Sequence, residues 1–368
     1  MIVAIDVTTL RGPISGVGYY TARIVEHVAQ SVGRDVSELL LLSNGPLGRA
    51  IPSSARLVTG WRFPVRSAWM QFLLPILLGR IRPDIVHYTN YLAPILPTGP
   101  YVVSVHDMSL TRTPEHHTLK KRLLTASLIP RVARGARLVL TPSEATRRDV
   151  VSDLRLAAER VVSIPYAAAE MFRPVESRPP YPGLERPYFL FVGTIEPRKN
   201  LVRLLDAFAA FCADVPETKL VLAGQRGWKC EDIYARAARP DVAGRTIMLD
   251  YVQEDSLPSL YSHALACVYP SLFEGFGFPV VEAMACGTPV LTSQTTSLGE
   301  IGAGAALLVD PRDVPALARA LRALARDPEL RQDLRSRGLR RAASFSWAET
   351  GRLTVAAYRR ARTVRFPS

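Results

Sequence analysis

Short runs almost free of polar residues punctuate the chain: VAIDV (3–7), ELLLLS (38–43), DIVHY (84–88), YVVSVHD (101–107), RLVLTPS (137–143) and RVVSIPY (160–166). Runs this short and this apolar predict strands of a parallel sheet covered on both faces. Between them, segments such as GYYTARIVEHVAQSV (18–32) carry apolar residues at helical spacing, so the layout is βαβ. FRPVESRPPYPGLERP (172–187) interrupts it, because five prolines after Arg173 exclude both helix and central strand. The pattern then restarts with YFLFVGT (188–194), KLVLAG (219–224), TIMLDYV (246–252), ACVYPS (266–271), PVLTS (289–293) and AALLVD (305–310). This predicts two doubly wound domains in tandem, 1–173 and 188–343, joined by a linker at 174–187. Residues 344–368 predict a terminal helix that packs back on the first domain, with Ser346 as N-cap and Glu349 three residues later. Such sheets bind ligands at the carboxyl ends of their strands, so two of them facing each other are expected to form a cleft.

Composition narrows the class. The 368 residues leave room for two ordinary cores, and 48% apolar with 21% charged residues suits a soluble enzyme and excludes a disordered chain. Cys212, Cys230, Cys267 and Cys286 lack short paired spacing, so they are expected to be buried thiols in a reducing compartment, not disulfides or zinc ligands. The start MIVAIDVTTL enters a strand directly, without a basic leader, which points to the cytoplasm. The net charge of +13 is uneven: residues 1–173 hold 21 Lys/Arg against 12 Asp/Glu, a surplus of nine, and the rest a surplus of four. The runs HHTLKKRLL (116–124) and PRVARGARL (130–138) suit the inner face of an anionic membrane or a phosphate-bearing acceptor, or form a solvated arginine-rich surface. The stretch 61–82 has an apolar centre too short to span a bilayer and broken by Pro75, so it fits a membrane interface or a buried helix beside the cleft. No nucleic-acid recognition module is visible.

The chemistry concentrates in PSLFEGFGFPVVEAMACGTP (270–289), where Glu274 and Glu282 bracket a turn with Gly275, Phe276 and Gly277 that leads into a helix. Glycines there let backbone N–H groups approach a ligand, and the helix start favours phosphate; a turn with a capping glutamate is the plainer reading. In GTIEPRKN (193–200), Arg198 and Lys199 converge on a helix start after Gly193, as a diphosphate clamp or as an exposed basic helix end. RGPISGVGYY (11–20) supplies Gly12, Gly16 and Gly18 after the first strand, a loop that admits phosphate or sugar, or a plain turn, but not the dinucleotide fingerprint. His106 ends a strand and precedes Asp107, where doubly wound sheets put functional side chains. His87 also ends a strand, with no second clue, and His116 and His117 are expected to face solvent. No D-x-D triplet or metal-spaced cluster occurs, so a metal-free mechanism without cofactor is expected, with Arg198 and Lys199 replacing the cation. Glu274 and Glu282 do not resemble a hydrolase pair, which has no need of phosphate-cradling glycines.

Together GVG near the start, VHD at 105–107, GTIEPRKN at 193–200 and the E-x7-E pair at 274 and 282 resemble, in order and over nearly the whole chain, the family 4 retaining glycosyltransferases. The resemblance implies the GT-B fold, two Rossmann-like domains facing across a cleft, and transfer of a hexose from a nucleotide sugar with retention at the anomeric carbon. It places His106 against the transferred sugar, Lys199 on the diphosphate, Glu274 on sugar hydroxyls, Glu282 on the ribose, backbone at Gly275 to Gly277 on phosphate or sugar, and backbone near Val252 on the base. Many members carry arginine where Thr194 follows Gly193 here; Arg198 is the candidate to replace it. The wording of GTIEPRKN resembles bacterial mannosyltransferases, which favours GDP-mannose over another NDP-hexose, and the expected acceptor is a glycan or lipid-linked hydroxyl. A sugar-nucleotide 2-epimerase of the same architecture and a non-catalytic two-domain binding protein are the alternatives.

Overall fold

The computed structural model describes residues 1–368 apart from 13–15, 60–64, 118–127, 178–180, 182–183, 185–186, 213–214, 216 and 365–368. Much of the basic run 116–124, the start of the 61–82 stretch and several linker prolines therefore lie outside the described residues.

The chain divides into two compact units, Met1–Tyr166 with Ser346–Ser368, and Ala167–Phe345. The first carries a parallel sheet of β1 (Ile2–Asp6), β2 (Glu38–Ser43), β3 (Ala55–Thr59), β4 (Ile85–Tyr88), β5 (Tyr101–Ser104), β6 (Leu138–Thr141) and β7 (Val161–Ser163), in the order β3-β2-β1-β4-β5-β6-β7. The central strands are buried on both faces, which is why they read as unbroken apolar runs. Val3 pairs with Leu39 on one side and Ile85 on the other, so the order reverses between β1 and β4. β3 stands outside the apolar runs because it is a half-exposed edge strand that pairs only with β2.

The second unit repeats the plan with β8 (Tyr188–Val192), β9 (Lys219–Ala223), β10 (Thr246–Leu249), β11 (Ala266–Tyr269), β12 (Val290–Ser293) and β13 (Leu307–Val309), all parallel, in the order β10-β9-β8-β11-β12-β13. Its reversal falls between β8 and β11. Phe189, Phe191, Phe208 and Phe211 fill the core, with Phe189 edge-on to Phe211 at 5.5 Å.

The boundary falls earlier than the proline run suggests. Residues 167–173, expected in the first domain, belong with the second, where Phe172 meets the Tyr261 ring at 6.0 Å and the Val175 amide donates to Ser262 Oγ at 3.1 Å. Residues 344–345 belong there too, Phe345 packing against Phe276 at 5.8 Å. The helix Trp347–Thr363 is part of the first unit: Ser346 Oγ caps the Glu349 amide, and Trp347 stacks on Tyr166 at 5.8 Å and 12°. Cys230, Cys267 and Cys286 are buried and Cys212 is partly exposed. His117 is not solvent-facing as expected but 5% exposed, with its Nε2 2.9 Å from Ser109 Oγ. Among the described residues no helix is long and apolar enough to cross a membrane.

Candidate active site

The carboxyl ends of β8 and β11, at the reversal of the second sheet, hold the densest chemistry of the molecule. After β8 the chain turns through Gly193 and runs beside the loop after β9: the Gly193 amide donates to Ala223 O at 2.9 Å, Ile195 to Gln225 O at 2.9 Å, and Gly227 to Ile195 O at 3.0 Å. Gly224, at φ 157°, has no substitute, since a Cβ would lie 1.9 Å from Gly193 O. A 3-10 turn, Pro197–Lys199, follows, and Asn200 at φ 63° redirects the chain into the helix Leu201–Cys212. Its Nδ2 donates to Pro270 O at 3.1 Å and Pro311 O at 2.6 Å, while the Leu272 amide donates to Arg198 O at 2.9 Å. The loops after β8 and β11 are thereby tied together.

Four ionised side chains meet at that tie. Lys199 Nζ donates to Glu274 Oε1 at 2.5 Å and to the Tyr269 hydroxyl at 2.7 Å. Arg198 Nη1 lies 2.9 Å from Glu274 Oε2, and its Nη2 donates to Glu196 Oε1 at 2.8 Å. Ser271 Oγ and the Tyr269 hydroxyl also donate to Glu274 Oε1, at 2.7 and 3.1 Å. Burial alone would raise the Glu274 carboxyl, but Arg198, Lys199 and the Ser271 bond hold it down to about 2. Burial and the neighbouring Arg198 push the Lys199 ammonium below its usual value, against the pull of Glu274 and Glu196. Two cations therefore balance two carboxylates in a buried cluster, where unpaired charge is costly.

Glu274 and Glu282 are set apart by Gly277, the N-cap of the helix Phe278–Ala285, whose φ of 98° and whose approach to Leu298 Cδ2, 2.5 Å from where a Cβ would stand, demand glycine. Ser297 Oγ donates to Glu274 O at 2.9 Å and fixes the loop. The Phe276 ring packs on Phe278 and Phe345, and Gly275 to Gly277 are buried beside it. Glu282 sits in the helix and accepts from the Tyr261 hydroxyl at 3.0 Å. Burial lifts its carboxyl to about 7, Glu254 adding to the rise and Tyr261 opposing it. Val252 is buried in the loop after β10, two residues before Glu254.

In the first unit His106 follows β5, with Nε2 2.7 Å from Thr89 O and Nδ1 2.8 Å from the Tyr166 hydroxyl. A carbonyl only accepts, so Nε2 carries the proton and Nδ1 accepts from Tyr166, a neutral ring held at both nitrogens. Burial also lowers its proton affinity. Beneath it, His87 bridges Tyr358 of the helix Trp347–Thr363 at 2.7 Å and Ser104 Oγ at 2.9 Å. Ser104 in turn meets the Tyr20 hydroxyl at 2.9 Å, and the Tyr20 ring lies edge-on to His106 at 4.9 Å. Burial, with His106 nearby, drops His87 to about 3. Gly16 and Gly18 are not in a loop, as expected, but in the first turn of the helix Gly16–Ala29, which also carries Tyr20.

Of the residues singled out in sequence, Arg198, Lys199 and Glu274 are thus in direct contact, with Gly193, Gly275 and Gly277 in the same pair of loops; His106, Gly16 and Gly18 lie in the other unit. Glu196, Tyr269, Ser271 and Tyr261 were missed, though Glu196 stands inside GTIEPRKN and the next two inside the run ACVYPS.

Residues 176–341 match the family Glycosyl transferases group 1, and residues 14–167 the family Glycosyltransferase Family 4. The chain is 30% identical to O-antigen chain mannosyltransferase B of Escherichia coli over 95% of its own length and 97% of that protein. It is 30% identical to MMP alpha-(1->4)-mannosyltransferase of Mycolicibacterium hassiacum over 83% of this chain and 78% of that one. Its fold matches that of Anabaena HepE, solved in complex with UDP and glucose, with a TM-score of 0.74 at 18% identity, covering 97% of this chain and 99% of that one. The chain belongs to the family 4, group 1 glycosyltransferases and has the GT-B fold of two Rossmann-like parallel-sheet domains.

Proposed function

We propose that this glycosyltransferase moves mannose, with retention of configuration, from GDP-mannose or a related NDP-hexose to a hydroxyl of a glycan or lipid-linked acceptor in polysaccharide or glycolipid synthesis. The observation that carries the reading is the Arg198–Lys199–Glu274 cluster at the end of β8 and β11. The mannosyltransferase relatives support the choice of sugar.

In this reading the diphosphate takes over donors of Arg198 and Lys199, and Glu274, released in part from them, accepts from the sugar hydroxyls. A carboxyl held at about 2 stays ionised at every working pH, so Glu274 acts as an acceptor and not as an acid. Glu282 takes the ribose hydroxyls, and backbone near Val252 the base. His106, engaged at both nitrogens, serves as a fixed neutral wall for the sugar and not as a base. The bond between acceptor oxygen and anomeric carbon forms as the carbon–phosphate oxygen bond breaks, and the acceptor's proton passes to the departing diphosphate. The two cations stabilise that leaving charge, so the step needs no metal ion and no cofactor.

A thermal-shift panel of nucleotide sugars identifies the donor, since a bound ligand stabilises the fold by RT ln(1 + [L]/Kd). With that donor and a competent acceptor, Lys199→Ala is expected to lower kcat/KM by about 100-fold or more. An unchanged kcat/KM would remove Lys199 from the reaction, and a 2-epimerised nucleotide sugar formed without acceptor would make the protein an epimerase.

A further inference from the structure

The helical run 66–81 is apolar on both sides. Trp69, Met70, Leu74 and Leu78 are buried in the first unit, yet the outward face presents Phe72 at 72% exposure and Ile76 at 57%, with Val65 at 52% just before it. A surface helix normally turns polar residues outward. Gln71, beside Phe72, holds a second apolar segment against this face: its Nε2 donates to Ala93 O at 3.1 Å and its Oε1 accepts from the Ile95 amide at 2.9 Å. Ile95 and Leu96 are 47% and 81% exposed, so side chains from two segments extend one greasy surface.

The surroundings say what covers it. From residue 39 to residue 83 the chain has six arginines and not one Asp or Glu, and of these Arg56 and Arg66 pair with Glu38 and Asp6 outside the span. Arg80 and Arg82 are exposed at the end of the run. A second copy of the same face would bring these like charges together, which disfavours self-association. An anionic, apolar-cored partner satisfies both features at once: headgroups meet the arginines while Phe72, Ile76 and Leu96 enter the acyl boundary. The run is too short to cross the bilayer and lies along it instead.

We propose that the face formed by Val65, Phe72, Ile76, Ile95 and Leu96 docks the first unit on an anionic phospholipid bilayer. The proposal does not depend on which sugar is transferred. Its test is flotation of the full chain with phosphatidylcholine vesicles with and without phosphatidylglycerol. Binding is expected only with phosphatidylglycerol and is expected to fall with added salt. Phe72→Ser/Ile76→Ser/Leu96→Ser is expected to abolish it with the melting temperature unchanged, because none of the three side chains is buried. Arg80→Glu/Arg82→Glu, which alters only exposed charge, is expected to weaken partitioning by about fivefold or more per arginine, the equivalent of about 1 kcal/mol per cation. A wild-type chain that stays unbound overturns the proposal, as does a triple variant or a charge variant that binds like wild type. Sedimentation velocity supplies a further outcome: a dimer that the triple variant dissolves, without vesicle binding, makes the face a contact between copies and also overturns it.

Discussion

Lys199→Met removes one of two cations from a buried group of four charges and leaves Glu196 and Glu274 facing Arg198 alone. Deleting one member of a buried ion pair costs about 3–5 kcal/mol, because the partner remains as uncompensated charge. Here Arg198 stays 2.9 Å from Glu274 and Ser271 still donates at 2.7 Å, so the lower end, about 3 kcal/mol, applies. Glu274→Gln strands the opposite sign and carries a similar cost. The double variant Lys199→Met/Glu274→Gln restores the balance, with Arg198 against Glu196. Equilibrium urea unfolding followed by circular dichroism should therefore show the double variant recovering about 2 kcal/mol or more of the summed losses. Activity should not recover with it, since the diphosphate still lacks Lys199, and kcat/KM should remain about 100-fold down. Losses that simply add in the double variant would refute the charge-balance argument. A kcat/KM that returns with stability would refute a direct role for Lys199.

The Glu282 carboxyl, lifted from 4.5 to about 7, binds its proton more tightly folded than unfolded, so the stability it lends is full below pH 4.5 and is lost as pH rises through 7. That span is worth about 3 kcal/mol, and Glu282→Gln should flatten it in melts taken from pH 4.5 to 8; parallel curves for the two proteins would count against the shift. Glu274 runs the other way, its contribution being present above pH 4.5 and lost as pH falls toward about 2. Gly277→Ala, which meets both the φ of 98° and Leu298, should cost about 1–3 kcal/mol, and a melt within error of wild type would show that the turn can relax. Tyr166→Phe removes the hydroxyl that donates to His106 Nδ1, which should raise the His106 pKa toward its ordinary value; an unmoved imidazole titration by NMR would dismiss that bond.

The central strands of both sheets were legible because parallel strands covered on both faces leave no place for polar residues; β3 escaped because an edge strand does not need that purity. The turn 274–277 was legible because a left-handed backbone and an adjacent acid leave local marks. The ionic cluster was only half legible. Its members come from residues 196–199, 269 and 271–274, and the spacing of Arg198 and Lys199 says nothing of the carboxylates they meet. Least visible was the support of His106, since Tyr358 reaches His87 across 271 residues of sequence. The domain boundary was misread for a related reason: prolines mark where regular structure stops, not where packing changes allegiance, and Phe172 had already joined Tyr261.

The helix Trp347–Thr363 closes the core of a unit whose strands all precede Tyr166. On the ribosome the half begun first is therefore finished last. Tyr166 and His87 must wait for Trp347 and Tyr358 until the whole of Ala167–Phe345 has been synthesised, at about 5–20 residues per second. Through that interval the later half can mature on its own while the earlier one stays unsealed, a window of many seconds in which nascent chains are open to chaperones, proteases and one another.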